Sequence, residues 1–227
     1  LPTFIVSEFA RSQVVVALGG DGGDEAFGGY SRYQLVDRMQ SLNPLLRVAR
    51  PLSPVLRRLA LQTHDQRIAR LAGGLRTYGS TWERYMAFVS LIHQQERQAL
   101  WSKSAFSNPS NLDPAAWFKG IWEGAHARGK LDRPLTVDIE TYLPENLNFK
   151  TDIASMANSL ELRSPFQDHK LVEFSAKISE EIRFNQGQSK YILRQIAKEF
   201  VPASVVDRKK MGFGIPRARW MRNELRP

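Results

Sequence analysis

The chain has 227 residues, a formal net charge of +9 and 42% hydrophobic residues, enough for one large domain or a large piece of one. It has no cysteine, which excludes disulfides, thiolate metal sites and a cysteine nucleophile within these residues. No apolar run approaches the ~20 residues needed to span a bilayer. The opening lacks a signal-type leader, and its first residue is leucine. We therefore expect a soluble, cytoplasmic chain that is a processed or excised segment. His64, His93, His126 and His169 lie far apart, so no histidine metal site is expected. The sequence pI is about 10.0. The arginines are scattered and form no basic run flanked by aromatics. A basic surface with local positive charge around an anionic substrate is preferred to nucleic-acid binding.

Residues 14–18, Val-Val-Val-Ala-Leu, form a short apolar run ending at Gly19-Gly20. This pattern predicts a strand buried on both faces, as in a parallel sheet. The glycine turn leads into Asp24-Glu25-Ala26-Phe27, where the acidic pair suits a helix start. The opening is thus strand, glycine turn, helix, with ligands expected at the strand's carboxyl end. Residues 41–80, with three prolines and Gly73-Gly74, predict short helices and loops. Residues 82–97 place Trp82, Tyr85, Met86, Val89 and Ile92 at helical spacing. Residues 102–114 are rich in Ser, Asn and Pro and predict a loop. Asp113-Pro114 is an N-cap with proline at the first helical position, before Trp117, Phe118, Ile121, Trp122 and Ala125. Residues 188–200 repeat the helical pattern at Ile192, Leu193, Ile196, Ala197 and Phe200, stopped by Val201-Pro202. All three stripes are assigned to core. The fold class expected is α/β, predominantly helical, with two or three short strands.

Chemistry-bearing residues fall in three clusters. The first is Gly19 to Tyr30, with five further glycines and the acids Asp21, Asp24 and Glu25 after Gly19. Glycines let the backbone approach a phosphate, yet carboxylates repel one. A bridging Mg²⁺ resolves the conflict, because it takes carboxylate and phosphate oxygens together. A glycine turn with solvated acids explains the same stretch equally well. The second runs from Asn148 to His169, with Ala154, Ala157, Leu160 and Ser164 weakly periodic and Glu161 near Arg163. Taken alone it predicts a surface helix with a salt bridge worth under ~1 kcal/mol. The third, Asp207-Arg208-Lys209-Lys210-Met211-Gly212-Phe213-Gly214-Ile215-Pro216, sets cations before a glycine-aromatic turn. Such cations suit an anionic transition state, although by itself a basic loop is the better reading.

In this order the clusters resemble three blocks of the asparagine synthetase family. These are Ser-Gly-Asp/Glu-Gly-x-Asp-Glu-x-Phe-Gly-Gly-Tyr, then Lys-x-Asp-Arg-x-Ser-Met-Ala-x-Ser-Leu-Glu-x-Arg-x-Pro-Phe-Leu-Asp, then Arg-x-Lys-x-Gly-Phe-x-x-Pro. They correspond to Gly19–Tyr30, Lys150–Asp168 and Arg208–Pro216. Residues 189–202 also resemble the helix before the last block. The resemblance implies an adenine-nucleotide α-hydrolase-like fold, a doubly wound parallel sheet that residues 1–227 hold incompletely. It implies that ATP activates the aspartate side-chain carboxylate as an acyl-adenylate, releasing pyrophosphate. Ammonia then attacks, giving asparagine and AMP. An N-terminal glutaminase domain supplies that ammonia from glutamine in the whole family protein. Asp24 matches the Mg²⁺-binding aspartate. Asp21 matches an acidic residue that helps bind substrate or deprotonates the attacking ammonia. Gly19 and Gly20 match strand-end residues near the AMP moiety, and Arg208 opens the third block on the nucleotide side. Lys210 matches the lysine that stabilises charge during adenylation and amide formation. Glu161, Arg163 and Asp168 are expected to organise the site wall. No nucleic acid or membrane is implied, and a homodimer is one assembly the resemblance allows.

Three positions depart from the pattern. Gly19 replaces serine, Ile153 replaces a basic residue that could hold pyrophosphate, and Gln167 replaces leucine, expected to be a local packing change. A pyrophosphate loop, Ser-Gly-Gly-x-Asp-Ser, occurs nowhere in residues 1–227. The chain alone is therefore expected not to make asparagine. A related amide ligase of the β-lactam or peptide-cyclising type, and a non-catalytic relative that binds nucleotide or a partner, remain open alternatives.

Overall fold

The computed structural model describes residues 1–41, 48–63, 68, 72, 75, 80–92, 113–185, 187–208 and 215–225. The chain divides into two units, one of Leu1–Phe27 with Thr141–Pro227 and one of Gly28–Glu140.

The first unit opens with α1 (Pro2–Arg11), a helix with proline at its first position that the sequence reading did not anticipate. Strand β1 (Val16–Leu18) follows, then α2 (Gly23–Phe27), as the opening predicts. The burial expected for β1 is not found: Val16 is 41% and Leu18 73% exposed. The described sheet has two strands, so β1 has a single strand neighbour. That neighbour is β2 (Glu161–Arg163), paired in parallel with Val16 opposite Glu161 and Leu18 opposite Arg163.

The second cluster also departs from its helical expectation. Its helix, Phe149–Met156, ends where Ser159 takes φ 55°, and the Leu160 amide donates to Ser155 O at 3.0 Å. That left-handed residue turns the chain into β2, so Glu161 and Arg163 lie on one face of a strand. Their ion pair, 2.7 Å long, is exposed. The helix Phe149–Met156 packs against α1. Arg11 Nε donates to Ser159 O at 3.0 Å, which ties α1 to the turn between that helix and β2.

Beyond β2, Asp168 caps the helix His169–Lys177, its carboxylate accepting from Lys170 N and Leu171 N. This helix packs on α2. Ala26, Phe27 and Ile178 form a buried cluster flanked by Phe166, Leu171, Ile192 and Leu193. The helix Tyr191–Phe200 stops as predicted but starts three residues later than the predicted 188, and it is not core. None of its residues is buried, and Ile196 and Phe200 are 48% and 77% exposed.

The second unit contains the helices Ser31–Ser41, Ser53–Thr63, Thr81–Val89, Pro114–Gly124 and Asp132–Val137. The predicted stripe over 82–97 is helical to Val89. Ile92 lies beyond the helix, and residues 93–97 are outside the described residues. Asp113 caps as predicted, accepting from Ala115 N at 3.1 Å. Phe118 and Trp122 are buried, whereas Trp117 is exposed. Tyr85 is fully buried and its ring meets those of Tyr33, Phe118 and Trp122.

Asp138 organises this core. Its Oδ2 accepts from Arg32 Nε and Nη2 and from the hydroxyls of Tyr33 and Tyr85, at 2.5 to 3.0 Å. Burial opposes the Arg32 charge, but its neighbours outweigh burial and hold the guanidinium above its ordinary pKa. Burial, then the Asp138 charge, raises both tyrosines well above theirs. The loop expected over 102–114 falls on residues that, up to 112, are outside those described.

Candidate active site around the glycine turn

The site grows from the carboxyl ends of β1 and β2. The Gly19 amide donates to Arg163 O at 2.7 Å, so parallel pairing continues one residue past β1. Both strands then open into loops on the same side. From β1 comes Gly19–Gly23, and from β2 comes Ser164–Asp168. In open α/β sheets this is where ligands bind.

The two loops are joined by side chains. Thr151 Oγ1 donates to Asp21 Oδ2 at 3.0 Å. Gln167 Nε2 donates to Asp21 O at 3.4 Å and to Asn148 Oδ1 at 2.9 Å. Asn148 Nδ2 returns a bond to Gln167 Oε1 at 2.8 Å. Gln167 is therefore more than a local packing change: it anchors the glycine turn. Thr151 was not singled out in the sequence either. Its signal was position, three residues into the second cluster, on the helix face turned toward Asp21.

Gly22 has φ +94°, and a Cβ there would lie 2.7 Å from Gln167 Cγ. Only glycine meets both conditions. A Cβ at Gly19 would lie 3.3 Å from Leu162 Cδ2, while at Gly20 it would meet nothing within 4 Å. The turn is thus fixed at Gly22 and open at Gly20, which is exposed.

Asp24 stands in the first turn of α2 and pairs with Lys190 Nζ at 3.0 Å. Lys190 precedes the helix Tyr191–Phe200 and has φ 53°, ψ 35°. Ile192 and Leu193 pack on the Phe27 cluster, which holds the start of that helix beside α2. Sequence reading missed Lys190, because nothing local marks a lysine as left-handed. Arg208 is exposed beyond the short helix Ala203–Val206, near Asp207, which bonds Arg194 at 2.8 Å. Lys210 lies outside the described residues. The structure therefore brings Gly19, Gly20, Asp21 and Asp24 together with the second cluster and Lys190. Ile153, at a position expected to be basic, is 54% exposed.

Magnesium is commonly held by one or two carboxylates together with phosphate oxygens and waters, not by an all-protein cage. Among the described residues, no three of His, Cys, Asp and Glu gather into a cage. One half-buried carboxylate, Asp24, beside an open glycine turn fits a cation shared with phosphate. No described helix is long and apolar enough to cross a membrane.

Fold and site together define an α/β chain with an acidic glycine turn at the carboxyl end of a parallel strand pair. Residues 1–227 match the Asparagine synthase family, and the chain belongs to that family. It is 32% identical over 227 residues to the asparagine synthetase [glutamine-hydrolyzing] 1 of Bacillus subtilis, covering 99% of this chain and 34% of that protein. A putative asparagine synthetase [glutamine-hydrolyzing] of Mycobacterium tuberculosis is 29% identical over 98% of this chain and 33% of its own length. Another, from Methanocaldococcus jannaschii, is 47% identical over 57 residues, 24% of this chain and 11% of that protein. The chain spans about a third of the length of the first two. No solved structure matches.

Proposed function

We propose that this chain forms part of the synthetase site of an ATP-dependent, asparagine-forming ligase. The reaction adenylates the aspartate side-chain carboxylate, and ammonia released from glutamine by a glutaminase domain displaces AMP. The observation that carries this reading is the junction of the first two clusters. Asp21 and Asp24 stand on one turn at the end of β1, and Thr151 and Gln167 hold that turn to the β2 loop.

In this reading Gly19 and Gly20 let the AMP moiety approach the backbone. Asp24 supplies a carboxylate for Mg²⁺. When bound, the ion would screen phosphate charge and draw electron density from the phosphorus under attack. Asp21, oriented by Thr151, helps bind substrate or takes a proton from the attacking ammonia. Arg208 and Lys210 supply positive charge where adenylation gathers negative charge. Adenylate chemistry by the family's other amide ligases would use the same groups, so the acceptor decides between them.

The test is pyrophosphate release by the intact ligase of which this chain forms part. Release should require both ATP and aspartate, and ammonium should yield asparagine with AMP. Lys210→Ala should lower that turnover by at least 100-fold, the order seen when one preorganised charge-stabilising group is removed. Unchanged turnover in Lys210→Ala would sink the lysine's role. Release that ignores aspartate but follows another carboxylate would replace asparagine formation with a related ligase reaction.

A further inference from the structure

Lys190 is a positively charged residue in a backbone conformation that side chains other than glycine seldom adopt, φ 53° and ψ 35°. Residues before helices are ordinarily extended, with a short polar side chain capping the first amides. Lys190 makes no such cap. Its ammonium instead meets Asp24 Oδ1 at 3.0 Å, with the lysine 30% and the aspartate 21% exposed. Left-handed backbone costs energy and persists only where the surroundings impose it. Here contacts on both sides of Lys190 impose it. The Asn185–Gln188 bridge, with Gly187 at φ 77°, turns the chain before Lys190. Ile192 and Leu193 then fix the helix against the Phe27 cluster.

We infer that Lys190 is a positioning residue that holds the Asp24 carboxylate until a cation and a phosphate arrive together. The inference rests on the reading of Asp24 as a cation ligand. A carboxylate oxygen engaged by an ammonium is a poorer ligand for a free divalent cation, because the two positive charges repel across it. A cation that arrives with phosphate removes the conflict. The cation takes Asp24, the displaced ammonium takes a phosphate oxygen, and every charge keeps a partner. No bond is made or broken in this exchange, and no proton moves. Lys190 thereby couples cation binding to phosphate binding, and such coupling is reciprocal. The site would discriminate against free Mg²⁺ without any contact to the rest of the nucleotide.

The experiment titrates the protein with Mn²⁺, followed by electron paramagnetic resonance, without and with inorganic pyrophosphate. Lys190→Ala and Lys190→Gln should each bind Mn²⁺ alone about three- to fivefold more tightly, the range expected for loss of a partly exposed ion pair. In both, the gain in Mn²⁺ affinity on adding pyrophosphate should shrink. Lys190→Arg keeps the charge and should behave as wild type. Circular dichroism of each variant confirms that the fold is retained, and the glutamine variant serves if the alanine variant does not fold. Unchanged or weaker Mn²⁺ binding in the folded uncharged variants overturns the inference. Asp24→Asn separates the two levels. If it weakens Mn²⁺ binding while the lysine variants have no effect, only the role of Lys190 falls. If Asp24→Asn also leaves Mn²⁺ binding unchanged, the cation role of Asp24 falls and takes the inference with it.

Discussion

Gly22 and Gln167 meet so closely that the glycine turn depends on both. Alanine at Gly22 would be strained by φ +94° and would clash with Gln167 Cγ at 2.7 Å. We expect Gly22→Ala to cost about 1–3 kcal/mol in urea unfolding, while Gly20→Ala, with nothing within 4 Å, should stay near wild type. A neutral Gly22→Ala would mean the turn is not held as described. Gln167→Leu, which restores the family's residue, removes the bonds to Asp21 O and Asn148. Asp138 is a separate case. It is buried and accepts from three side chains, so Asp138→Asn should destabilise by about 3 kcal/mol or more, measured by urea unfolding. A loss under 1 kcal/mol would contradict the network. The glycine turn and its acids were legible because glycine and charge patterns are local. Gln167, Thr151 and Asp138 were not, because their partners lie 146, 130 and 106 residues away in sequence.

Helix ends show the same division between local and distant signals. The cap at Asp113 and the stop at Val201-Pro202 were readable because each uses only its neighbours. The change from the helix Phe149–Met156 to β2 was not, because Leu160 and Ser164 continue a helical spacing that Ser159 interrupts. Strand β2 exists because Val15 and Gly19 of the β1 segment bond it. Burial was the least legible property. The apolar run of β1 suits a strand with neighbours on both sides, and the described residues supply one. The stripe on Tyr191–Phe200 leaves Phe200 77% exposed for the same reason: periodicity marks a face, not what covers it. Asp168, expected in the site wall, acts as a cap. Asp168→Ala should cost about 1 kcal/mol in thermal or urea unfolding, and Asp168→Asn, also a good cap, should recover it. Failure of asparagine to recover stability would show that the carboxylate does something beyond capping.

At the scale of the molecule, one unit carries an acidic glycine turn and the other a buried aromatic and ionic core. That core gives the molecule a pH dependence. Tyr33 and Tyr85 have folded pKa values raised above the ordinary 10.0, first by burial and then by Asp138. Folding therefore holds their protons. The stability they contribute is fully present below about pH 10 and is lost as pH rises toward their folded values. Absorbance at 295 nm should show that two of the six tyrosines ionise only as the circular dichroism of the fold is lost. Six tyrosines ionising near pH 10 with the fold intact would contradict the burial. The glycine turn, for its part, is proposed to serve activation of a carboxylate by ATP, and isotope transfer tests that chemistry most directly. The intact ligase of which this chain forms part is supplied with ATP, ammonium and aspartate labelled with ¹⁸O in its side-chain carboxylate, and the AMP is analysed by mass spectrometry. Adenylation predicts one ¹⁸O in each AMP formed, with the transfer lost in Asp24→Asn; unlabelled AMP, or ¹⁸O appearing in inorganic phosphate instead, would contradict it.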